Sequence, residues 1–230
     1  HPNGKTILRE LEEYGESKRM EATLSHMFEA LLYYFWAPFV NQYAEKHRSK
    51  GLNLNKNIPY LYVYGEPNSG KGTFAEFVLS LLSKNAVTSP MDADEVGVRT
   101  IRQTRNIDTC FPIIVDDIGQ AKINSLDPLR NFWNKWSEDV NYPAITFISN
   151  DKKPDEWFRN RAKTLHFDVR FTREKKGEAE AKEIISRENP VFKWFSYLYL
   201  EHDKDELHDD DLKVAREVFV DLYEKAERTL

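Results

Sequence analysis

In Tyr60-Leu61-Tyr62-Val63-Tyr64-Gly65-Glu66-Pro67-Asn68-Ser69-Gly70-Lys71-Gly72-Thr73, an aromatic and β-branched run breaks into a turn of small and polar residues. Such a run favours a strand, and the segment that follows, 72–82, has the composition of a helix. Positions 65–71 fit G-x-x-x-x-G-K. In that pattern the loop backbone turns its N–H groups onto a phosphate, the helix N-terminus adds positive potential, and the lysine reaches the terminal phosphates. Glycine is scarce in the chain, nine in 230 residues, yet Gly65, Gly70 and Gly72 fall within this one turn. The candidate phosphate contacts are Gly65, Pro67, Asn68, Ser69, Gly70, Lys71, Gly72 and Thr73. The hydroxyl residue that commonly follows the lysine and holds Mg²⁺ is replaced by Gly72, so Thr73 either takes part in metal binding or bonds a phosphate, leaving the metal to downstream carboxylates and water.

Around this element the segments 112–115, 144–148 and 165–171 also read as strands. Most are too uniformly apolar for a sheet with one wet face. They predict an α/β fold with a parallel sheet and helices on both faces. Upstream, Leu24, Met27, Phe28, Leu31, Phe35 and Phe39 recur at helical spacing within 21–47, and Pro38 bends or breaks that helix. A helix is also predicted over 128–140. The charged stretch 173–187, the segment 191–200 and a final helix over 211–226 suggest a small helical C-terminal subdomain. The organisation expected is thus a helical region over 1–57, a nucleotide-binding core over 58–172 and a helical subdomain over 173–230.

Polar residues stand at the ends of the apolar strands. Ile113-Ile114-Val115 runs into Asp116 and Asp117, where one carboxylate can orient Mg²⁺, directly or through water, and its neighbour can polarise the attacking water. An aspartate at a strand end also serves as a helix N-cap. The next strand ends in Ser149-Asn150, and Asn150 can hold the water or sense a γ-phosphate. Beyond it lie Arg159 and Arg161, placed where an arginine could reach a neighbouring subunit's γ-phosphate. Arg161 is the first choice for that role and Arg159 the second.

In this order the elements resemble the superfamily 3 helicases and the wider AAA+ ATPases. Positions 65–71 look like the family's Walker A, Val115-Asp116-Asp117 like its Walker B, Ile148-Ser149-Asn150 like its motif C, and the stretch from Arg161 to 171 like its arginine and following strand. Asp116-Asp117-Ile118-Gly119-Gln120 also resembles picornavirus-type ATPases. The resemblance implies ATP and Mg²⁺ as cofactors and a homo-oligomer, ring-shaped in that family. It also brings single-stranded nucleic acid into view as a partner. Such helicases place a lysine-bearing β-hairpin between Walker B and motif C, and the interval 118–149 has little room for one. The resemblance therefore supports ATP binding better than strand translocation.

The rest of the sequence narrows the partners. Lys+Arg 33 against Asp+Glu 38 gives a net charge of −5, which is not that of a generic polyanion binder. The lone Cys110 forms no internal disulfide, which with the absence of a signal-peptide layout points to a reducing, cytoplasmic setting. The longest apolar stretch, 30–40, is too short to span a bilayer. A start at His1 rather than Met suggests a processed chain or one domain of a larger protein. The guanine-reading motif N-K-x-D is absent, because Asn134-Lys135 continues into Trp136-Ser137. Arg99, Arg102 and Arg105 either form a solvated helical face or line a surface for nucleic acid or a subunit. His202 and His208, among Asp203, Asp205, Glu206, Asp209, Asp210 and Asp211, read as an acidic solvated loop rather than a metal site. Two other functions compete with an oligomeric ATPase. A nucleotide kinase is suggested by Gly70-Lys71-Gly72-Thr73, and an ATP-gated scaffold with little turnover by Gly72 and by Asp117 in place of glutamate.

Overall fold

The computed structural model describes residues 4–152, 154–169, 175–202, 210 and 212–227, with side chains for 18–152, 154–169, 179–202, 210 and 212–225. The N-terminal helix α1 (Gly4–Trp36) ends where Pro38 removes a backbone donor. A 3-10 turn, Ala37–Phe39, carries the chain into α2 (Val40–Ser49), so the predicted break at the proline is present. There follow α3 (Leu54–Asn57), β1 (Tyr60–Tyr64), α4 (Lys71–Ser83), β2 (Met91–Asp92), α5 (Val98–Gln103), β3 (Ile113–Asp116) and α6 (Gln120–Ser125). The chain continues through β4 (Ile145–Ser149), α7 (Glu156–Arg159), β5 (Ala162–His166), α8 (Lys175–Ser186), α9 (Val191–Glu201) and α10 (Lys213–Glu227).

The five strands form one sheet in the order β2-β3-β4-β1-β5, every neighbouring pair parallel. Both faces are covered, which is why the central strands read as unbroken apolar runs. On one face Tyr60 and Tyr62 of β1 pack on Phe158 of α7, and Phe132 and Phe147 join them. The alternate residues Leu61 and Val63 are buried on the other face, against which α1 packs with α4 beside it. Phe35 of α1 meets Phe192 and Phe195 of α9 and Phe219 of α10, so the C-terminal helices dock on the N-terminal one.

At the C-terminal end of β5, α1 bonds the outer backbone margin. Thr23 Oγ1 accepts the Asp168 N–H at 2.9 Å, and His26 Nδ1 donates to the His166 carbonyl at 2.6 Å. Glu29 pairs with Lys163 of β5 and Arg216 of α10, both at 2.5 Å, and these two cations hold its carboxyl below the usual range against the opposing effect of burial.

Two expectations need correction. The last strand covers 162–166 rather than 165–171, and 170–171 lie outside the described residues. Its first residues, Ala162-Lys163-Thr164, look too polar for a strand, and Glu29 supplies the partner that neutralises Lys163 there. The helix expected over 128–140 is instead a pair of 3-10 turns, Asp127–Asn131 and Trp133–Lys135. Asn55 intervenes there: its Oδ1 accepts the N–H groups of Trp133 and Asn134, and its Nδ2 donates to the Arg130 carbonyl, using backbone groups that a helix would need. The two-residue strand β2 has no sequence signature; its pairing with Val115 and Asp116 of β3 places it.

Candidate nucleotide site

All five strands run the same way, so their C-terminal ends share one edge. Tyr64 is in register with Ser149 and His166, and Asp116 with Asp92. The loop after Tyr64, the carboxylates Asp116 and Asp117 and the side chain of Asn150 therefore gather at that edge, where open parallel sheets bind ligands. Asn68 (φ 66°) and Gly70 (φ 82°) take left-handed conformations that curl the loop backbone before α4 begins at Lys71. At Gly65 the crowding is absolute. A Cβ there would stand 2.4 Å from the Phe167 carbonyl oxygen, so this position admits only glycine.

Lys71 is only 6% exposed, and all four of its acceptors are neutral. Its Nζ donates to the carbonyls of Gly65 (2.8 Å) and Glu66 (3.0 Å), to Ser69 Oγ (3.0 Å) and to Asn150 Oδ1 (3.1 Å). Burial pushes its pKa down, and the charges of Asp116, Asp117 and Glu66 oppose that shift without closing an ion pair. A buried ammonium with neutral partners is a site prepared for an anion.

Asn150 also donates from Nδ2 to Asp117 Oδ1 at 2.6 Å, so one amide joins the lysine to a carboxylate. Asp117 is exposed and adopts φ 53°, with its N–H donating to Asp116 Oδ1 at 2.8 Å. Asp116 lies deeper. Burial, with the charges of Asp117 and Asp92, raises its pKa despite the Asp117 N–H and Lys71. Asp92, which went unnoticed in the sequence, enters the site only through that short strand pairing. Asp151 was missed as well: its Oδ2 accepts the Gln120 N–H at 2.7 Å, and its one cue was an acidic residue directly after Asn150.

The family model of the Aq_aa27 P-loop NTPase domain matches residues 5–153, well over half of the chain. The chain belongs to that family. Among solved structures, this P-loop NTPase domain is similar to one described as an active helicase, SCCmec type IV Cch, at 14% identity and a TM-score of 0.40, over 85% of this chain and 47% of that one. It is also similar to the JCV helicase, at 14% identity and a TM-score of 0.36, over 97% of this chain and 75% of that one. The domain spans about half the length of the first. No curated protein matches it in sequence.

The residues of this P-loop NTPase domain fit a nucleotide with a divalent cation. The curled loop and buried Lys71 suit phosphate, and Asp116 and Asp117 present hard oxygen ligands, with the exposed Thr73 hydroxyl one residue beyond Gly72. A Cβ on Gly72 would stand 3.1 Å from Asp116 Oδ2, so the carboxylate occupies the side of the helix where a serine or threonine would project.

The arginines lie elsewhere. The Arg161 carbonyl accepts the Tyr60 N–H at 2.8 Å, which places it where β1 and β5 begin, the opposite margin of the sheet from the loop. Its guanidinium bonds the Trp157 carbonyl at 2.6 Å, while Arg159 is exposed. Arg105 packs over Phe132 and bonds the Pro128 carbonyl, whereas Arg99 and Arg102 are exposed. Within the acidic stretch expected at 202–211, only His202 and Asp210 are described. His202 faces Asp221 at 3.6 Å, and Asp210 pairs with Arg216. Among the described residues no cluster of metal-binding side chains appears, and no helix is long and apolar enough to cross a membrane.

Proposed function

We propose that this domain binds ATP with Mg²⁺ and hydrolyses it, as the ATPase module of a larger nucleic-acid-processing protein resembling superfamily 3 helicases. The observation that carries the reading is the chain Lys71–Asn150–Asp117, which ties a buried, anion-ready ammonium to an exposed carboxylate through one amide. Lys71 and the loop N–H groups hold the phosphates. Asp116 holds the cation. Asp117 takes the proton of the attacking water, and Asn150 aims that carboxylate while it feels the terminal phosphate. Mg²⁺, when bound, withdraws charge from the phosphoryl oxygens.

The arginine role belongs to a neighbouring subunit in this reading, because Arg159 and Arg161 sit at the far margin of their own sheet. We assign the contact to a homo-oligomer, with Arg159 on the accessible side of the segment. A steady-state ATPase assay with and without single-stranded DNA, RNA and AMP tests the function. ATP hydrolysis in wild type that is lost in Lys71→Ala supports it. Phosphoryl transfer to AMP would make the domain a nucleotide kinase, and tight ATP binding without turnover would make it a nucleotide-gated scaffold.

A further inference from the structure

We propose that Asp151 is a positioning residue for hydrolysis, one that holds the backbone turn aiming Asp117 although it touches no reacting group. This rests on the ATPase reading above. Asp117 is a non-glycine residue at φ 53°, a conformation that costs about 1 kcal/mol or more and persists only where the surroundings impose it. Three bonds from the end of β4 impose it. The Ile148 carbonyl accepts the Ile118 N–H at 3.0 Å, the Asn150 amide donates to Asp117 Oδ1 at 2.6 Å, and Asp151 Oδ2 accepts the Gln120 N–H at 2.7 Å.

The third bond closes the turn. Gly119, which precedes α6, has no side chain with which to cap the helix, so Asp151 supplies the acceptor from the neighbouring strand end. Asp151 is itself fixed, because its N–H donates to the buried Ser149 Oγ at 3.0 Å. Four residues further along both segments the pattern recurs: Asn124 Nδ2 donates to Asp155 Oδ2 at 2.6 Å, and Trp157 Nε1 donates to Asn124 Oδ1 at 2.8 Å. Helix α6 is thus clamped at two points, and only the Asp151 point adjoins the catalytic turn.

The use of a single carboxylate oxygen makes the inference testable. Asparagine keeps an acceptor at that place, and alanine does not. In Asp151→Ala we expect kcat to fall about 10- to 100-fold, the loss typical of a supporting-shell residue, with the ATP dissociation constant within about twofold of wild type. Asp151→Asn should stay within about threefold of wild type in kcat. Amide exchange at Gln120 should quicken in Asp151→Ala alone, and Asp155→Ala, which loosens the far end of α6, should leave both kcat and Gln120 exchange near wild type. Wild-type kcat in Asp151→Ala, or an Asp151→Asn variant as impaired as the alanine, overturns the proposal. A wild-type chain that hydrolyses no nucleotide overturns the ATPase reading instead, and with it the catalytic role given to Asp151.

Discussion

Oδ2 of Asp116 stands 3.1 Å from where a Cβ on Gly72 would lie, so the carboxylate and a side chain at position 72 compete for one space. We expect Gly72→Ser, which restores the common hydroxyl, to displace Asp116 rather than to improve the site. ATP affinity without metal should stay within about threefold, while Mg²⁺-dependent turnover falls at least about tenfold. Titration of Mg²⁺ against turnover and nucleotide binding in EDTA separates the two effects. Faster turnover in the serine variant would show that the hydroxyl and the carboxylate share the space.

Burial and the charges of Asp117 and Asp92 raise the pKa of Asp116, so this carboxyl favours the folded state most when protonated. Its contribution is present below the ordinary carboxylate range and is lost as pH rises from that range through the raised value. Asp116→Asn keeps an oxygen for the Asp117 N–H and removes the buried charge. At pH 7 the variant should melt higher by about 2–4 °C, the shift that ~1 kcal/mol gives in a chain of this length, while losing hydrolysis. Calorimetry of the nucleotide-free protein checks it. Mg²⁺ affinity in wild type should weaken as pH falls toward the raised value, because the cation and the proton compete for one carboxylate.

Lys71→Ala should fold and bind ATP at least about 100-fold more weakly, since the loss removes charge-assisted bonds to phosphate worth about 1.5–3 kcal/mol each. Equal affinity in a folded variant, measured by calorimetric titration, would remove the lysine from the site.

The two arginines should behave differently. Arg161 is half-buried and bonds the Trp157 carbonyl, so Arg161→Ala should cost about 1–3 kcal/mol of stability, read from urea unfolding. Arg159→Ala should leave stability unchanged, keep ATP binding and lower turnover. Mixing Arg159→Ala with Lys71→Ala chains should recover part of the activity, because one supplies an intact pocket and the other the arginine. No recovery, together with wild-type turnover in Arg159→Ala, would remove this residue from the reaction.

Where local composition and tertiary position agree, the chain was readable as a sequence. The residues of β1, β3 and β4 announce themselves by apolar runs; Asp116, Asp117 and Asn150 meet at one edge because parallel strands end together, and Lys71 joins them where α4 opens after the loop from β1. Features made by a distant partner were hidden. Asn55 turns 128–136 away from a helix, Glu29 lets Lys163 sit in a strand, and Asp92 joins the site by pairing with a strand far along the chain. Arg161 illustrates the same limit: nothing in its neighbours along the chain announces that its guanidinium folds back onto Trp157.

The way α1 bonds the end of β5 has a consequence for how copies of this domain can meet. An open strand margin is a template on which another chain can crystallise its backbone, and here Thr23 and His26 occupy the Asp168 N–H and the His166 carbonyl at one end of β5 while β2, two residues long, offers almost nothing on the other side. In the homo-oligomer proposed above, neighbouring copies would recognise one another through side chains rather than by continuing the sheet. A sheet continued across the boundary would weld them. Stripping α1 away should bare the His166 carbonyl and the Asp168 N–H and favour strand-to-strand aggregation.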